Sequence, residues 1–266
     1  MSNTIRHVLF EGPTRESLFL ELCFGDTILS TATGFVVSAG KSNLLITARH
    51  VFTGRHAVTG EPLSANSGIP DSVVIYHNGV EKDARGCDTV VKIKQKLIAA
   101  DHSQLWIEHP EFGKDADIAA LLLKESEKFL LMPVDVGQHK NPISCRPSEM
   151  VSIVGYPLGA TVPGGHAIWS TGFMASELDI YWKGNPVFLV DSRTRQGQSG
   201  SPVFSYRIGP CLRSDGTISY SGYEAASYNF LGVYSGRIHK DSDIGQVWNA
   251  SSVRELINHA TDVLNA

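Results

Sequence analysis

Short apolar segments separated by turn residues run through most of the chain. Large apolar residues at every second position from 18 to 24 predict a half-buried strand. The segments 33–38 and 44–47 flank the turn Ala39-Gly40-Lys41 and predict a hairpin. Further strand-like segments are 73–76, 90–93, 105–107, 118–123, 151–157, 167–175, 187–190, 203–204 and, as the last clear one, 230–236. Many short strands with turn signals between them predict an all-β sandwich or barrel.

The C-terminal segment has a different periodicity. Ser252-Val253-Arg254-Glu255 fits a capping box that would begin a helix. The apolar residues that then recur at helical spacing are Val253, Leu256, Ile257, Ala260, Val263 and Leu264. We expect residues 251–266 to form one amphipathic helix that packs on the barrel formed by the second half of the chain, with a partner-binding helix as the alternative.

Composition argues against several kinds of partner and cofactor. The 266 residues carry a net charge of −4 and no lysine-rich run, which argues against nucleic acid as a partner. No stretch of about 18 apolar residues exists, which argues against a membrane span. Four cysteines, Cys23, Cys87, Cys145 and Cys211, are scattered without metal-ligand spacing. We therefore expect neither a metal nor another cofactor.

The N-terminal residues and the cysteines together suggest a compartment. Residues 1–10 lack the basic start and the apolar core of a secretory signal. Disulfides are rare in the cytosol, so we expect a cytoplasmic protein whose cysteines are reduced thiols. No cysteine occupies a turn between small residues, which disfavours a cysteine nucleophile.

A candidate nucleophile lies in the second half, in Gly197-Gln198-Ser199-Gly200-Ser201-Pro202. Ser199 stands between small residues on a tight turn, as reactive serines usually do. Upstream, Thr47-Ala48-Arg49-His50 ends one apolar run, and Asp117 opens another. This order of histidine, aspartate and serine differs from the serine-first order of α/β-hydrolases. An esterase or acyl transferase of that class is therefore disfavoured.

These residue types fit nucleophilic catalysis. A serine hydroxyl needs an adjacent base, histidine titrates near neutrality, and a carboxylate behind the histidine orients it. Asp115 competes with Asp117 for the last role, but only Asp117 directly precedes the apolar strand. We assign oxyanion binding to the backbone N–H groups of Gly197 and Ser199, because a side chain at position 197 would obstruct the approach of an oxyanion.

The three segments together resemble the chymotrypsin-like serine peptidases, which have the trypsin fold. Gly-Gln-Ser-Gly-Ser-Pro and Asp-Ile-Ala-Ala-Leu are most similar to the bacterial glutamyl-endopeptidase and HtrA-type branches, and the resemblance covers roughly residues 14–246. It implies two packed six-stranded β-barrels followed by a C-terminal α-helix. Residues 14–125 would carry His50 and Asp117, residues 146–250 would carry Ser199, and residues 251–266 would form the helix. The three catalytic residues would meet in the cleft between the barrels.

The resemblance also bears on activation and specificity. Members activated by cleavage pair a new N-terminal amine with an acid before the nucleophile, whereas Gln198 is neutral. We therefore expect activity that is constitutive or gated by a loop or a partner. We assign substrate binding to four residues near the nucleophile: Arg193, Thr194, Tyr234 and Ser235. An inward-facing Arg193 would favour acidic and disfavour basic residues before the cut. Tyr234, however, stands where glutamyl endopeptidases have a histidine in the wall of this pocket. A preference for small or medium neutral residues is therefore the alternative.

The sequence thus predicts a stand-alone serine endopeptidase that acts on polypeptides. A protein regulator or activator is a further candidate partner. The alternative function is a catalytically silent module that binds peptides in the same cleft. A reagent that reacts with activated serines distinguishes the two.

Overall fold

The computed structural model describes residues 10–57, 59–64, 67–84, 88–220 and 226–265. The first half contains α1 (Gly12–Glu16), β1 (Ser17–Phe24), β2 (Thr27–Ala39), β3 (Ser42–Thr47), α2 (Arg49–Thr53), β4 (Ser72–Lys82), β5 (Asp88–Lys96), β6 (Trp106–Glu108), β7 (Ala119–Leu122) and β8 (Phe129–Leu130). The second half contains β9 (Met150–Gly155), a 3₁₀ turn (Pro157–Gly159), β10 (Ile168–Met174), β11 (Val187–Asp191), β12 (Pro202–Ile208), β13 (Cys211–Leu212), β14 (Ile218–Ser219), β15 (Ala226–Arg237), β16 (Ile244–Asn249) and α3 (Ala250–Asn265). The all-β fold class with a C-terminal helix is confirmed.

The strands of the first half form one antiparallel sheet that curls back on itself. Its order is β5-β4-β1-β2-β3-β7-β6, and β8 pairs with β4. The two ends of the sheet meet, because the N–H of Leu105 donates to the carbonyl of Leu97 at 2.8 Å and Ile98 pairs with Gln104. This unit therefore has eight strands, and only a few hydrogen bonds between its end segments close it. The sequence predicted a six-stranded barrel here.

The second half forms the predicted six-stranded closed barrel, in the order β10-β11-β16-β15-β12-β9. Residues 230–236, the last clear strand in the sequence, lie in β15. The sequence did not predict β16, which follows and pairs with both β11 and β15. In this segment Gly245 and Gln246 separate Ile244 from the other two strong strand formers, Val247 and Trp248. So short an apolar run does not identify a strand without its neighbours.

Three buried clusters make up the core. One fills the first unit around Leu20 and Leu45, and a second fills the barrel around Phe188. The third joins the two halves: Phe19, Phe35, Val37, Leu44, Ile46, Ile118 and Ala120 of the first meet Val154, Tyr156, Phe204, Phe230, Val233 and Trp248 of the second. Strands β2 and β3 are thus buried on both faces, which holds their ends, where the site lies, against the second barrel.

Helix α3 is amphipathic, as the sequence predicted, but it packs on the junction between the halves and not on the second barrel alone, because it contacts β2, β6 and β7 as well as β15 and β16. Its buried side chains are Ser252, Val253, Leu256, Ile257 and Ala260. The capping box predicted at Ser252 is wrong, since the helix begins at Ala250 and Oδ1 of Asn249 accepts the N–H of Ser252 at 3.1 Å. Asn249 therefore caps the helix. None of the helices in the described part of the chain is long and apolar enough to cross a membrane.

Cys23, Cys145 and Cys211 are free thiols, whereas Cys87 lies outside the described residues. Burial raises the pKa of Cys145 to about 11, which disfavours the reactive thiolate. Among the described residues, no group of three or more His, Cys, Asp or Glu side chains is arranged to hold a metal ion.

A reducing agent should leave the thermal stability of the protein unchanged, because the described cysteines form no disulfide. The melting temperature with and without a phosphine reductant measures this. Loss of a structural disulfide would cost about 2–5 kcal/mol, and each kcal/mol would lower the melting temperature by about 2–4 °C. A decrease of that size in reductant would contradict the expectation of reduced thiols.

Candidate active site

His50 and Asp117 meet where β3 and β7 pair. Thr47 at the end of β3 lies opposite Ala119 of β7, which brings α2 and the residues before β7 together. Oδ1 of Asp117 accepts the backbone N–H of His50 at 2.9 Å, and Oδ2 lies 2.7 Å from Nδ1 of the ring. This two-point contact orients the imidazole with Nδ1 toward the carboxylate. Asp115, the alternative partner, is exposed.

Asp117 also controls the protonation of His50. Burial disfavours the imidazolium, but the charge of Asp117 and its hydrogen bond favour it, and together these effects raise the pKa of His50 above 6.5. A carboxylate at Nδ1 holds the proton of the neutral ring there and leaves Nε2 as the basic nitrogen. The pair therefore has the arrangement of a general base with its orienting acid.

The turn that carries Ser199 packs against the residues that precede His50. Gly200 has φ of +85°, and a Cβ at this position would lie 3.0 Å from the amide nitrogen of Ala48 and would collide with Oγ1 of Thr47. Only glycine permits this approach. Ser199 is partly exposed, and the hydrogen bond to Asp117 is the only one that the His50 side chain makes among the described residues. Serine–histidine hydrogen bonds are often long in ligand-free enzymes and shorten on binding.

Thr33 on β2 ties the first half to the nucleophile turn. Its N–H donates to the carbonyl of Ser199 at 3.0 Å, and its hydroxyl donates to the carbonyl of Gly197 at 2.8 Å. The hydroxyl of Thr47 in turn donates to the carbonyl of Thr33 at 2.7 Å. These bonds hold the turn's carbonyls toward the first half. The sequence pattern did not indicate Thr33, because a threonine at the start of a predicted strand carries no local sign of such contacts.

The backbone N–H groups of this turn alternate between paired and unpaired. Gln198 donates to a carbonyl three residues earlier at 3.3 Å, and Gly200 donates to the carbonyl of Tyr234 at 2.8 Å. Within the described residues, the N–H groups of Gly197 and Ser199 donate to no backbone or side-chain acceptor. Gly197 has φ of +94°, which favours glycine. Two unpaired donors beside the serine hydroxyl have the chemistry of an oxyanion site.

The side chain of Gln198 braces this turn from inside the barrel. It is fully buried. Its Oε1 accepts the N–H of Arg195 at 2.7 Å, and its Nε2 donates to Oγ of Ser170 on β10 at 2.8 Å. Both polar atoms of the neutral amide are thus hydrogen-bonded, and neither needs a charged partner. A buried carboxylate at this position would require a cation beside it.

The four residues assigned to substrate binding separate into two groups. Arg193 is exposed. Thr194 and Tyr234 are buried, and their hydroxyls are hydrogen-bonded at 2.5 Å. Burial raises the pKa of Tyr234 to about 12. Ser235 is buried at an irregularity in the pairing of β15 with β16.

Solved structures and sequence families were found that are similar to this chain. The thermostable serine protease AL20 from an extremophilic microorganism is 13% identical, with a TM-score of 0.51, over 95% of this chain and 99% of that chain. The serine endoprotease from Yersinia pestis is 12% identical, with a TM-score of 0.48, over 92% of this chain and 64% of that chain. The active form of the Rv3671c protease from M. tuberculosis is 18% identical, with a TM-score of 0.47, over 92% and 80%. No curated protein sequence matches significantly.

At these identities the solved structures show a likeness of fold alone, and the chain spans 64% of the length of the Yersinia pestis endoprotease. The family evidence comes from the sequence. The sequence model of the trypsin-like peptidase domain matches residues 32–209, a segment that includes His50, Asp117 and Ser199. This chain therefore belongs to the trypsin-like peptidase family.

Proposed function

We propose that the protein is a serine endopeptidase that cleaves polypeptides through Ser199, His50 and Asp117 and an acyl-enzyme intermediate. The observation that supports this most is the two-point contact between Asp117 and His50, at 2.9 and 2.7 Å. It lies beside a turn in which the N–H groups of Gly197 and Ser199 have no acceptor among the described residues. A peptide-binding module would need neither an oriented base nor unpaired donors at the serine.

In the acylation step, Nε2 of His50 takes the proton of the Ser199 hydroxyl as Oγ attacks the scissile carbonyl carbon. The N–H groups of Gly197 and Ser199 bind the oxyanion that forms. His50 then gives the proton to the leaving amine nitrogen, the C–N bond breaks and the acyl group remains on Ser199 as an ester. Asp117 stabilises the transient imidazolium throughout this step.

In the deacylation step, a water molecule gives a proton to Nε2 of His50 as its oxygen attacks the ester carbonyl. The same two N–H groups bind the second oxyanion. The intermediate collapses, the C–O bond to Ser199 breaks and the proton returns from His50 to Oγ. The products are a carboxylic acid and an amine, and the enzyme is unchanged.

A fluorophosphonate probe tests this function, because it phosphonylates only serines that an adjacent base activates. We expect the folded protein to react once, at Ser199, as identified by peptide mass mapping. Heat-denatured protein is the control and should not react. A folded protein that does not react, or that reacts elsewhere, would support the silent peptide-binding module.

We further propose that Gln198 replaces the ion pair by which cleavage-activated members order this turn. The Gln198→Ala variant should lose on the order of 10² in kcat, as when one oxyanion donor is removed, because Arg195 and Ser170 lose their hydrogen-bond partner. An N-terminal extension on the parent should leave kcat unchanged. Kinetics of both proteins with one peptide substrate measure this, and activity that appears only after N-terminal trimming would contradict it.

A further inference from the structure

We propose that the side chain of Tyr234 fills the pocket that would receive the substrate side chain preceding the cleaved bond, so that the enzyme cleaves after small neutral residues. This inference rests on the proposed role of Ser199 as the nucleophile. It assigns Tyr234 as the residue that limits substrate size, with Thr194 holding it in place.

The direction of the substrate follows from the catalytic groups. His50 protonates the leaving amine, so the leaving group faces His50 and the acyl part extends away from it. One side of the turn already packs on Thr47 and Ala48, next to His50. The acyl side chain therefore points to the other side of the turn, where the N–H of Gly200 donates to the carbonyl of Tyr234.

Three backbone segments bound this side of the turn. The segment 192–196 is tied to it through the hydrogen bond from Arg195 N–H to Gln198. Strand β15 is tied to it twice, because Tyr234 N–H also donates to the carbonyl of Ser201 at 2.9 Å. Strand β16 closes the third side, where Gly245 pairs with Arg237.

The ring of Tyr234 occupies the space between these three segments. Only 2% of Tyr234 is exposed. Its Cε2 would lie 2.5 Å from a Cβ at Gly245, so the ring packs directly on the backbone of β16. Its hydroxyl reaches the third segment through the hydrogen bond to Thr194. The ring thus reaches from β15 to both other segments, and a substrate side chain that enters between them meets it.

The hydrogen bond to Thr194 holds the ring in this position. Both hydroxyls are buried, and outward rotation of Tyr234 would leave the hydroxyl of Thr194 without its partner, which is unfavourable in a dry interior. A large substrate side chain must therefore displace a packed and hydrogen-bonded ring. Discrimination between apolar side chains that differ in size is typically 10–200-fold, and we expect an effect of this order.

The charges near the pocket favour a neutral substrate side chain. The two hydroxyls at its base are bonded to each other, and Arg193 is exposed. Arg237 lowers and Asp243 raises the pKa of Tyr234, so the charged groups that act on the ring include one of each sign. We therefore expect alanine, glycine or serine as the residue before the cleaved bond.

Peptidyl diphenyl phosphonates measure this pocket directly, because they react with the active serine while their terminal side chain occupies it. For the parent protein we expect the alanine reagent to react on the order of 10²-fold faster than the phenylalanine reagent. Tyr234→Ala should abolish or reverse this ratio, whereas Tyr234→Phe, which keeps the ring, should retain a preference for alanine. Tyr228→Ala removes a tyrosine from the opposite end of β15 and is the matched control, with the parent ratio expected.

Each result decides the proposal, and the parent ratio does so even if Tyr234→Ala does not fold. Equal or faster reaction of the parent with phenylalanine, glutamate or arginine reagents would overturn it. So would an unchanged ratio in folded Tyr234→Ala, or no reaction with any peptidyl phosphonate when a simple fluorophosphonate labels Ser199. No labelling by the fluorophosphonate either would instead overturn the proposed nucleophile, and the pocket assignment with it.

Discussion

Replacing Ser199 by alanine is expected to reduce kcat by on the order of 10⁶, as deletion of a nucleophilic serine does in a serine protease. The variant keeps the backbone N–H of residue 199 but has no oxygen to attack the carbonyl or to carry the acyl group. Fluorophosphonate labelling should disappear together with peptide cleavage. The fold should persist, because Thr33 binds the main-chain carbonyl of Ser199 and this bond remains.

Ser201→Ala is the matched control for this loss. Ser201 lies two residues downstream, is fully buried, and its hydroxyl has no hydrogen-bond partner within the described part of the chain. Its removal should leave labelling and kcat close to the parent values. If purified Ser199→Ala cleaves at even a tenth of the parent rate, Ser199 is not the nucleophile.

Asp117→Asn is expected to reduce kcat by roughly 10⁴, the effect of the same change in a trypsin-type enzyme. An asparagine amide can donate to Nδ1 of His50, which moves the ring proton to Nε2 and removes the base. Asp115→Asn is the control, because Asp115 is exposed and two residues away. Kinetics at saturating substrate measure both variants. A larger loss in Asp115→Asn would transfer the role to Asp115.

The pH dependence gives a second measurement of the same pair. Only neutral His50 accepts a proton, so kcat/KM of the parent should fall as the pH decreases through the pKa of His50, which Asp117 raises above 6.5. In Asp117→Asn the carboxylate that raises this pKa is absent, while burial, which lowers it, remains. The acidic limb of the residual activity should therefore move to lower pH, and a shift to higher pH would contradict the assignment.

Local sequence determined the identity of the chemical groups and most of the strands. The small residues around Ser199, including Gly197 and Gly200, are visible without a structure. The structure gives these two glycines φ values of +94° and +85°, which favour glycine. The hairpin of β2 and β3 and the apolar face of α3 follow from periodicity. Patterns of this kind depend on residues within one or two turns of each other, so the sequence carries them in full.

Tertiary structure decided which of these groups meet. Asp117 contacts His50 and Asp115 does not, although both precede the same strand. Strand β16 exists because β11 and β15 supply its hydrogen bonds, and Asn249 caps α3 in place of the predicted serine. Each outcome depends on pairing partners that are remote in the chain, which no local window contains.

The residues proposed to contact the substrate side chain likewise depend on both sequence and tertiary structure. The sequence named Arg193, Thr194 and Tyr234 as neighbours of the nucleophile, but the direction of each side chain depends on what packs around it. Tyr234 points inward because Gly245 leaves space for the ring and Thr194 pairs with its hydroxyl. Residue type and spacing are properties of the chain. Burial and direction arise only when segments tens of residues apart exclude water between them, and they decide which side chains a substrate meets.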